Sequence, residues 1–395
     1  MVHKGRIKRK IMCTTPRIPG EQDVSTVDKD WTDKDINPVE RKNRDRVLPN
    51  GVVLKLMKRS DWQGLTRFGS NMAFIFFNAL VIHHSGIYSD FAEVENFRQL
   101  GSVLSSEKML TFVPLYLFYG FQMQCMGFAG GHELLHGNAF KSKWLNTVVT
   151  FFVSTAFFEV LWHERINHKQ HHIYTLDIDR DPELTSYYSR EQLENPNFKS
   201  VPRSRFGYLN AVVNVFSYWY HRLCRLVTSS MGILTDYTGI GWSMKSPAPE
   251  EFPSSVISEL QFFSCLQLGV YIGIFSMYGN DLEKLKALVF WWMAPCVIGY
   301  APISFFRNAE HADCDRVTNQ LHAARTVESN FIIRWLLWET NFHAEHHAYP
   351  MVPFFNLPVL HKLLDKHIKH NETKNFTVQN WHMLRRGGWI DKQNS

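Results

Sequence analysis

The chain has 395 residues, a formal net charge of +6, 45% hydrophobic and 20% charged residues, and a mean hydropathy of −0.22. These values exclude wholesale disorder and a dense transporter-like bundle, but admit a membrane protein whose polar parts dilute the average. Six cysteines (Cys13, Cys125, Cys224, Cys265, Cys296, Cys314) are scattered without CxxC pairs. That excludes a disulfide framework and a thiolate zinc ribbon, and fits a reducing compartment.

Residues 1–66 form a polar N-terminal tail with basic clusters at Lys4 to Lys10 and Arg41 to Arg46. No apolar run follows the first cluster at signal-peptide distance. A partly disordered tail is the plain expectation, and a cytosolic flank attracted to anionic lipid, by the positive-inside rule, is the sharper one. Apolar runs follow at Phe68 to Ile82, Leu110 to Phe128, Leu145 to Trp162, Val256 to Tyr278 and Leu285 to Phe306. A span needs about 20 apolar residues, with about 17 as a minimum. The runs starting at 110, 256 and 285 qualify, the run at 68 qualifies when extended, and the run at 145 is borderline. Asn78, Gln122, Gln124, Pro295 and Pro302 interrupt them. The aromatic-rich stretch Tyr208 to Leu234 is weaker. The polar region Asp177 to Arg205 reads as a loop with short helices, and residues 366–395 as a second polar tail. A core domain over 67–365 is expected.

Nineteen residues are histidine, and many fall into clusters. The first is His132-Glu133-Leu134-Leu135-His136. The second is His168-Lys169-Gln170-His171-His172, and the third His343-Ala344-Glu345-His346-His347. His311 stands alone after the last apolar run. On a helix, positions i, i+3 and i+4 share one face, so each cluster directs two or three imidazoles the same way. Neutral imidazole suits iron, copper, zinc and nickel. Eight histidines on three faces are too many for one tetrahedral zinc and enough for two metals. At this histidine frequency, two HxxHH boxes arise by chance with a probability on the order of one in a thousand. The HExxH in the first box is also the zinc-protease signature, with the glutamate as base.

The ligands must converge on one side of the membrane. The runs at 68 and 110 form a hairpin that returns the chain at His132. The runs at 256 and 285 form another that returns it before His311. The run Leu145 to Trp162 separates the first two boxes, so it is expected to lie along the interface or re-enter. The expected fold is an all-α membrane protein with four transmembrane helices near 68–88, 108–128, 256–278 and 285–306. Both termini and all the boxes are expected on the cytosolic side.

HELLHGN at His132 to Asn138, HKQHH at His168 to His172, and NFHAEHHAYPMVPFFNLPVLH at Asn341 to His361 resemble the membrane fatty acid desaturase superfamily. Its pattern is HxxxH, HxxHH, HxxHH. Arg307-Asn308-Ala309-Glu310-His311 resembles the RxxEH element of a subgroup similar to rhizobitoxine and carotenoid-modifying enzymes. The segment Thr175 to Leu184, with its Asp-Pro-Glu, fits the stretch after the second box in that subgroup. The resemblance covers residues 65 to 365. It implies four transmembrane helices, interfacial helices and a cytosolic helical cap holding two iron ions (Fe2+). The implied ligands are His132, His136, His168, His171, His172, His311, His343, His346 and His347. Some members carry an asparagine four residues before the His311 equivalent; here that position is Arg307. His163 and His361 lie off the box register. Asp177, Asp179, Asp181, Glu310 and Glu345 are candidates for orienting the imidazoles, with Arg307 and Asn341 beside them.

The resemblance implies oxygen-dependent attack on an unactivated C–H bond of a lipid or acyl substrate drawn from the bilayer. The HPGG haem motif of cytochrome b5 fusions is absent, so electrons are expected from a separate donor, cytochrome b5 or ferredoxin with its reductase. A multi-pass protein of the endoplasmic reticulum is expected in a eukaryote, with no nucleic-acid partner. Desaturation is the leading expectation. A hydroxylase or ketolase acting on a lipid, carotenoid or other hydrophobic metabolite is the alternative on the same scaffold. An intramembrane zinc protease built on His132, Glu133 and His136 leaves both HxxHH boxes idle. A non-catalytic binding protein is a further class. Metal analysis separates these: iron is expected, and one zinc with no iron per chain overturns the diiron reading.

Overall fold

The computed structural model describes residues 47–185, 194, 215–236, 252–312, 314–372 and 375–384. The basic clusters Lys4 to Lys10 and Arg41 to Arg46, part of the loop after residue 185, and the end of the C-terminal tail lie outside these residues.

The protein is mostly helical. Helix α1, Asp61–His84, starts at Ser60, whose side chain accepts from the Gln63 backbone N–H. Asp61 in its first turn complements the helix dipole. It buries Asn71, Ile75, Asn78 and Ile82, one stripe at spacings of three and four. Phe76, Phe77 and Leu80 on the other face are exposed, as a lipid-facing surface allows. Helix α2, Lys108–Gln124, runs without a break into a π-helical turn, Cys125–Gly130, and then the short α3, Gly131–Leu135. Helix α4, Lys143–Ala156, and helix α5, Leu161–Tyr174, meet at a bend of 107°. Helices α6, Val215–Ser230, α7, Ser254–Tyr278, and α8, Leu282–Arg307, come next in the chain. A π-helical turn at Val289–Met293 interrupts α8. The remainder holds the short α9, His343–Ala348, and α10, Leu357–Leu364.

Helices α1, α7 and α8 are long and apolar enough to cross a membrane. Helix α2 has 17 residues before its π-helical turn, the short end of the spanning range. The run Leu145 to Trp162 is not one helix. It stops at Ala156, and Phe158 takes φ +58°, in the left-handed region. The bend there is sealed from both helices: Gln267 Nε2 of α7 donates to the Glu159 carbonyl (2.9 Å), and so does Ser154 Oγ of α4 (2.6 Å).

One short sheet accompanies the helices. Strand β1, Arg325–Val327, pairs in parallel with β2, His370–Glu372, in the register Arg325↔His370, Thr326↔Asn371 and Val327↔Glu372. Three-residue strands leave no readable alternation in a sequence. They fasten the segment before the third histidine box to the segment after it.

The polar residues that interrupt the apolar runs join helices. Asn78 Nδ2 on α1 donates to Gln122 Oε1 on α2 (3.1 Å). Gln124 Nε2 donates to Tyr218 Oη on α6 (2.9 Å) and to the Cys296 carbonyl on α8 (2.7 Å). The hydroxyls of Tyr116 and Tyr119 donate to the Phe290 and Trp291 carbonyls (2.6 and 2.9 Å). Those carbonyls lie in the π-helical turn of α8, whose widened backbone presents them sideways. Such bonds matter most where surrounding lipid is as apolar as the side chains.

Helices α2 and α8 cross at two glycines. A Cβ on Gly120 would sit 2.5 Å from the Pro295 carbonyl oxygen, and one on Gly299 would overlap the Gly120 carbonyl. Gly299→Ala therefore forces the helices apart. A loss of about 1–3 kcal/mol is expected for such overpacking, read as a lower unfolding temperature of the detergent-solubilised protein. A variant as stable as the parent contradicts the close crossing.

Candidate metal centre

The first histidine box enters on α3, immediately after the π-helical turn. Three glycines in this stretch let neighbouring elements close on it. A Cβ on Gly127 would lie 2.8 Å from Phe157, one on Gly130 3.1 Å from the Trp338 ring, and one on Gly131 3.1 Å from Leu161. Helix α5 carries the second box, and α9 carries the third. His311 sits in the turn after α8, whose position is fixed from β1. The Arg325 N–H donates to the Glu310 carbonyl (2.8 Å), and Arg325 Nη1 donates to the Ala309 carbonyl (2.7 Å).

The structure brings all nine expected histidines together, in two groups. His132, His136, His168, His172 and His346 form one; His171, His311, His343 and His347 form the other. Within each group the ligand-capable atoms lie within 4.8 Å of one another. In the first group, His168 Nε2 lies 3.1 Å from His136 Nε2 and 2.9 Å from His172 Nε2, which is 3.2 Å from His346 Nε2. In the second, His311 Nε2 lies 3.1 Å from His171 Nε2 and 2.9 Å from His343 Nε2, which is 3.1 Å from His347 Nε2.

The outward nitrogens decide what these contacts mean. His311 Nδ1 lies 2.9 Å from the Ala323 carbonyl, which can only accept. The proton is therefore on Nδ1, and Nε2 presents a lone pair inward. His171 Nδ1 lies 2.9 Å from Asp181 Oδ1, which gives that ring the same orientation. His347 Nδ1 donates to Gln320 Oε1 (3.2 Å). His311 and His347 thus present lone pairs inward, and the other inward nitrogens crowd to about 3 Å of them or of one another, an arrangement that a cation between them would satisfy. Metal–imidazole bonds of about 2.1 Å place neighbouring ligand atoms about 3 Å apart. The donor set thus fits two metal ions, one per group.

Burial and the neighbouring imidazoles push His136, His168, His172, His343, His346 and His347 well below the ordinary histidine range. They stay neutral, the form that ligates. Burial also pulls His171 down, but Asp181 and Glu183 outweigh it and lift the imidazole to about 9. A bound cation displaces that proton.

The acidic candidates separate by contact. Asp181 reaches a box histidine directly, and its Oδ2 also accepts from the Leu176 N–H (2.7 Å). Asp177 instead holds the Arg180 guanidinium (Nε–Oδ2 2.8 Å), and its Oδ1 accepts from the Asp179 N–H (2.9 Å). Glu345 is engaged by Thr326 Oγ1 and His361 Nδ1, not by any of the nine histidines. Asn341 Nδ2 donates to the Val327 carbonyl (3.1 Å), bracing β1. Arg307 lies over the Phe128 ring, 3.7 Å from Glu183. Glu310 approaches the inward nitrogen of His343 at 3.9 Å. His163 is turned away toward Thr235.

Two acids have contacts that sequence reasoning did not find. Glu133 is fully buried, with Oε1 3.4 Å from His132 Nδ1 and 3.6 Å from His346 Nδ1, so it lies behind two imidazoles of the first group. Glu183 Oε2 lies 3.9 Å from His171 Nε2. Position i+1 in the first box could be read only as a protease base, and Glu183 only as part of a loop.

Residues 108–374 match the family model described as fatty acid desaturase. The chain is similar to dihydrorhizobitoxine desaturase of Bradyrhizobium elkanii, with 23% identity over 58% of this chain and 60% of the relative. It is also similar to a Delta(9) fatty acid conjugase-like enzyme of Dimorphotheca sinuata, with 22% identity over 62% of this chain and 65% of the relative. The chain thus spans under two thirds of the length of these curated relatives. With the family model matching more than half of its residues and both histidine groups inside or beside apolar helices, the chain belongs to the fatty acid desaturase family.

Proposed function

We propose that the protein is a membrane-embedded, oxygen-dependent diiron desaturase that introduces a C=C bond into a fatty acyl chain or a related lipid. The observation that carries this reading is the convergence of nine inward imidazole nitrogens in two groups. The relatives named for desaturation and for a fatty acid conjugase support the reaction type and an acyl substrate.

His132, His136, His168, His172 and His346 would hold one iron, and His171, His311, His343 and His347 the other. When bound, the irons supply the oxygen activation and C–H attack that acid–base side chains cannot perform. The protein's own part is to hold the rings. Asp181 keeps the Nδ1 proton of His171, the Ala323 carbonyl keeps that of His311, and Gln320 keeps that of His347. Glu133 stands behind His132 and His346. Such outer partners fix the ring plane and raise the basicity of the inward nitrogen. Burial excludes water that would otherwise quench the reaction.

The topology in this reading counts α2 with its π-helical turn as a fourth span beside α1, α7 and α8. The bent pair α4–α5 is then re-entrant or interfacial, and every box falls on the side of the termini. That side would be cytosolic, at the endoplasmic reticulum in a eukaryote, where cytochrome b5, or ferredoxin with its reductase, delivers electrons. A hydroxylase or ketolase shares every residue named here.

Expression in a host with a compatible reductase, followed by mass spectrometry of lipids, is expected to reveal products two hydrogens lighter than their precursors. A gain of one oxygen overturns desaturation. His171→Ala is expected to abolish the product. Asp181→Asn keeps the shape but no longer offers a carboxylate to Nδ1. It is expected to lower iron affinity or turnover by about 10–100-fold, measured by iron retained after dialysis. Unchanged retention contradicts its role in setting the tautomer.

A further inference from the structure

The two histidine groups are unequal, five imidazoles against four. The smaller one has a carboxylate on its inner side. Glu310 Oε2 lies 3.9 Å from His343 Nε2, and Glu183 Oε2 lies 3.9 Å from His171 Nε2. These are the nitrogens that face the centre of the group, not the outward ones. An acid that only oriented a ring would approach Nδ1, as Asp181 does at 2.9 Å. We infer that Glu310 is a direct ligand, completing the four-histidine site with an oxygen, so that the two metals have different donor sets. This rests on the diiron reading above.

Glu310 is the better of the two acids. Glu183 Oε1 lies 3.7 Å from Arg307 Nη2, so its charge already has a partner. The Glu310 carboxylate instead has the neutral imidazole of His343 as its close contact, and its side chain is only 14% exposed. A largely buried carboxylate is costly unless it is paired or bound to a metal. Neighbouring ligand atoms lie about 3 Å apart around a metal with bonds near 2.1 Å. Glu310 thus needs to close by about 1 Å, within reach of a side-chain rotation. Its backbone is held firmly for that task, since its carbonyl accepts from the Arg325 N–H at 2.8 Å. A carboxylate also adds a hard, anionic donor beside four neutral imidazoles. It lowers the net charge of that site alone and so makes the two ions electronically distinct.

The test uses the full-length protein purified in detergent. Iron per chain is measured after loading with Fe2+ and dialysis, and Mössbauer spectra are recorded on 57Fe-loaded samples. The parent, Glu310→Gln, Glu310→Asp and Glu183→Gln are compared, with apo-protein unfolding temperatures as the check on folding. The parent is expected to hold two irons with two resolved quadrupole doublets. Glu310→Gln is expected to unfold at the parent's temperature but to lose about one iron per chain and one of the doublets. Glu310→Asp is expected to retain both irons with a shifted doublet, and Glu183→Gln to match the parent. Two irons and unchanged spectra in Glu310→Gln overturn this inference while leaving the diiron reading intact. Loss confined to Glu183→Gln overturns it in favour of the other acid. Fewer than two metals in the parent overturns both readings together.

Discussion

Crowded inward imidazole nitrogens govern this structure. Imidazole nitrogens approach to 2.9–3.2 Å in both groups, and in His311 and His347 the Nδ1 proton is held on the far side of the ring. The arrangement persists only because the surroundings leave each ring no other choice. Asp181, the Ala323 carbonyl and Gln320 hold rings from behind. Glycines at 127, 130 and 131 let the first box be pressed against Phe157, Trp338 and Leu161. Burial keeps most of the rings uncharged, since one proton among them would be shared at close quarters with several neighbours. A cation accepts several of these crowded nitrogens at once, so the fold is pre-organised for metal.

The helical part meets a different constraint. Between helices surrounded by lipid, apolar contact gives little preference for one partner over another. The specific contacts here are therefore backbone approach and hydrogen bonding. Gly120 and Gly299 bring α2 and α8 within backbone distance. Asn78, Gln122 and Gln124 link α1, α2, α6 and α8. The tyrosines of α2 satisfy carbonyls opened by the π-helical turn of α8. Residues that look like defects in an apolar run are the fasteners between runs.

Much of the centre was legible in the sequence because its ligands obey local geometry. Spacings of three and four place imidazoles on one helical face whatever the tertiary fold, so the boxes announced themselves. The partition into groups of five and four was not legible. His171 and His172 are adjacent in the chain yet belong to different groups, because neighbouring helical residues point about 100° apart. The supporting acids depend wholly on three-dimensional contact. Glu345 lies inside a box but serves Thr326 and His361, whereas Glu183 lies in a loop and comes close to an inward nitrogen. The interruption at Ala156 was also hidden. Leu145 to Trp162 has no proline or glycine to mark a break, and the bend rests on the left-handed Phe158 and on polar contacts with α7.

The small parallel pair of strands has a consequence for biogenesis. Strand β2 begins at His370, later in the chain than any box, and it pairs with β1, which positions both the His311 turn and the third box. Long-range parallel pairing forms late, after the loop between its partners has closed. The segments carrying the first two boxes therefore leave the ribosome well before the frame that completes either group exists. Assembly of the centre therefore follows synthesis of both strands, and until then the histidines of the first two boxes lack the frame that completes their groups. Strand β2 acts as the latch that completes that frame.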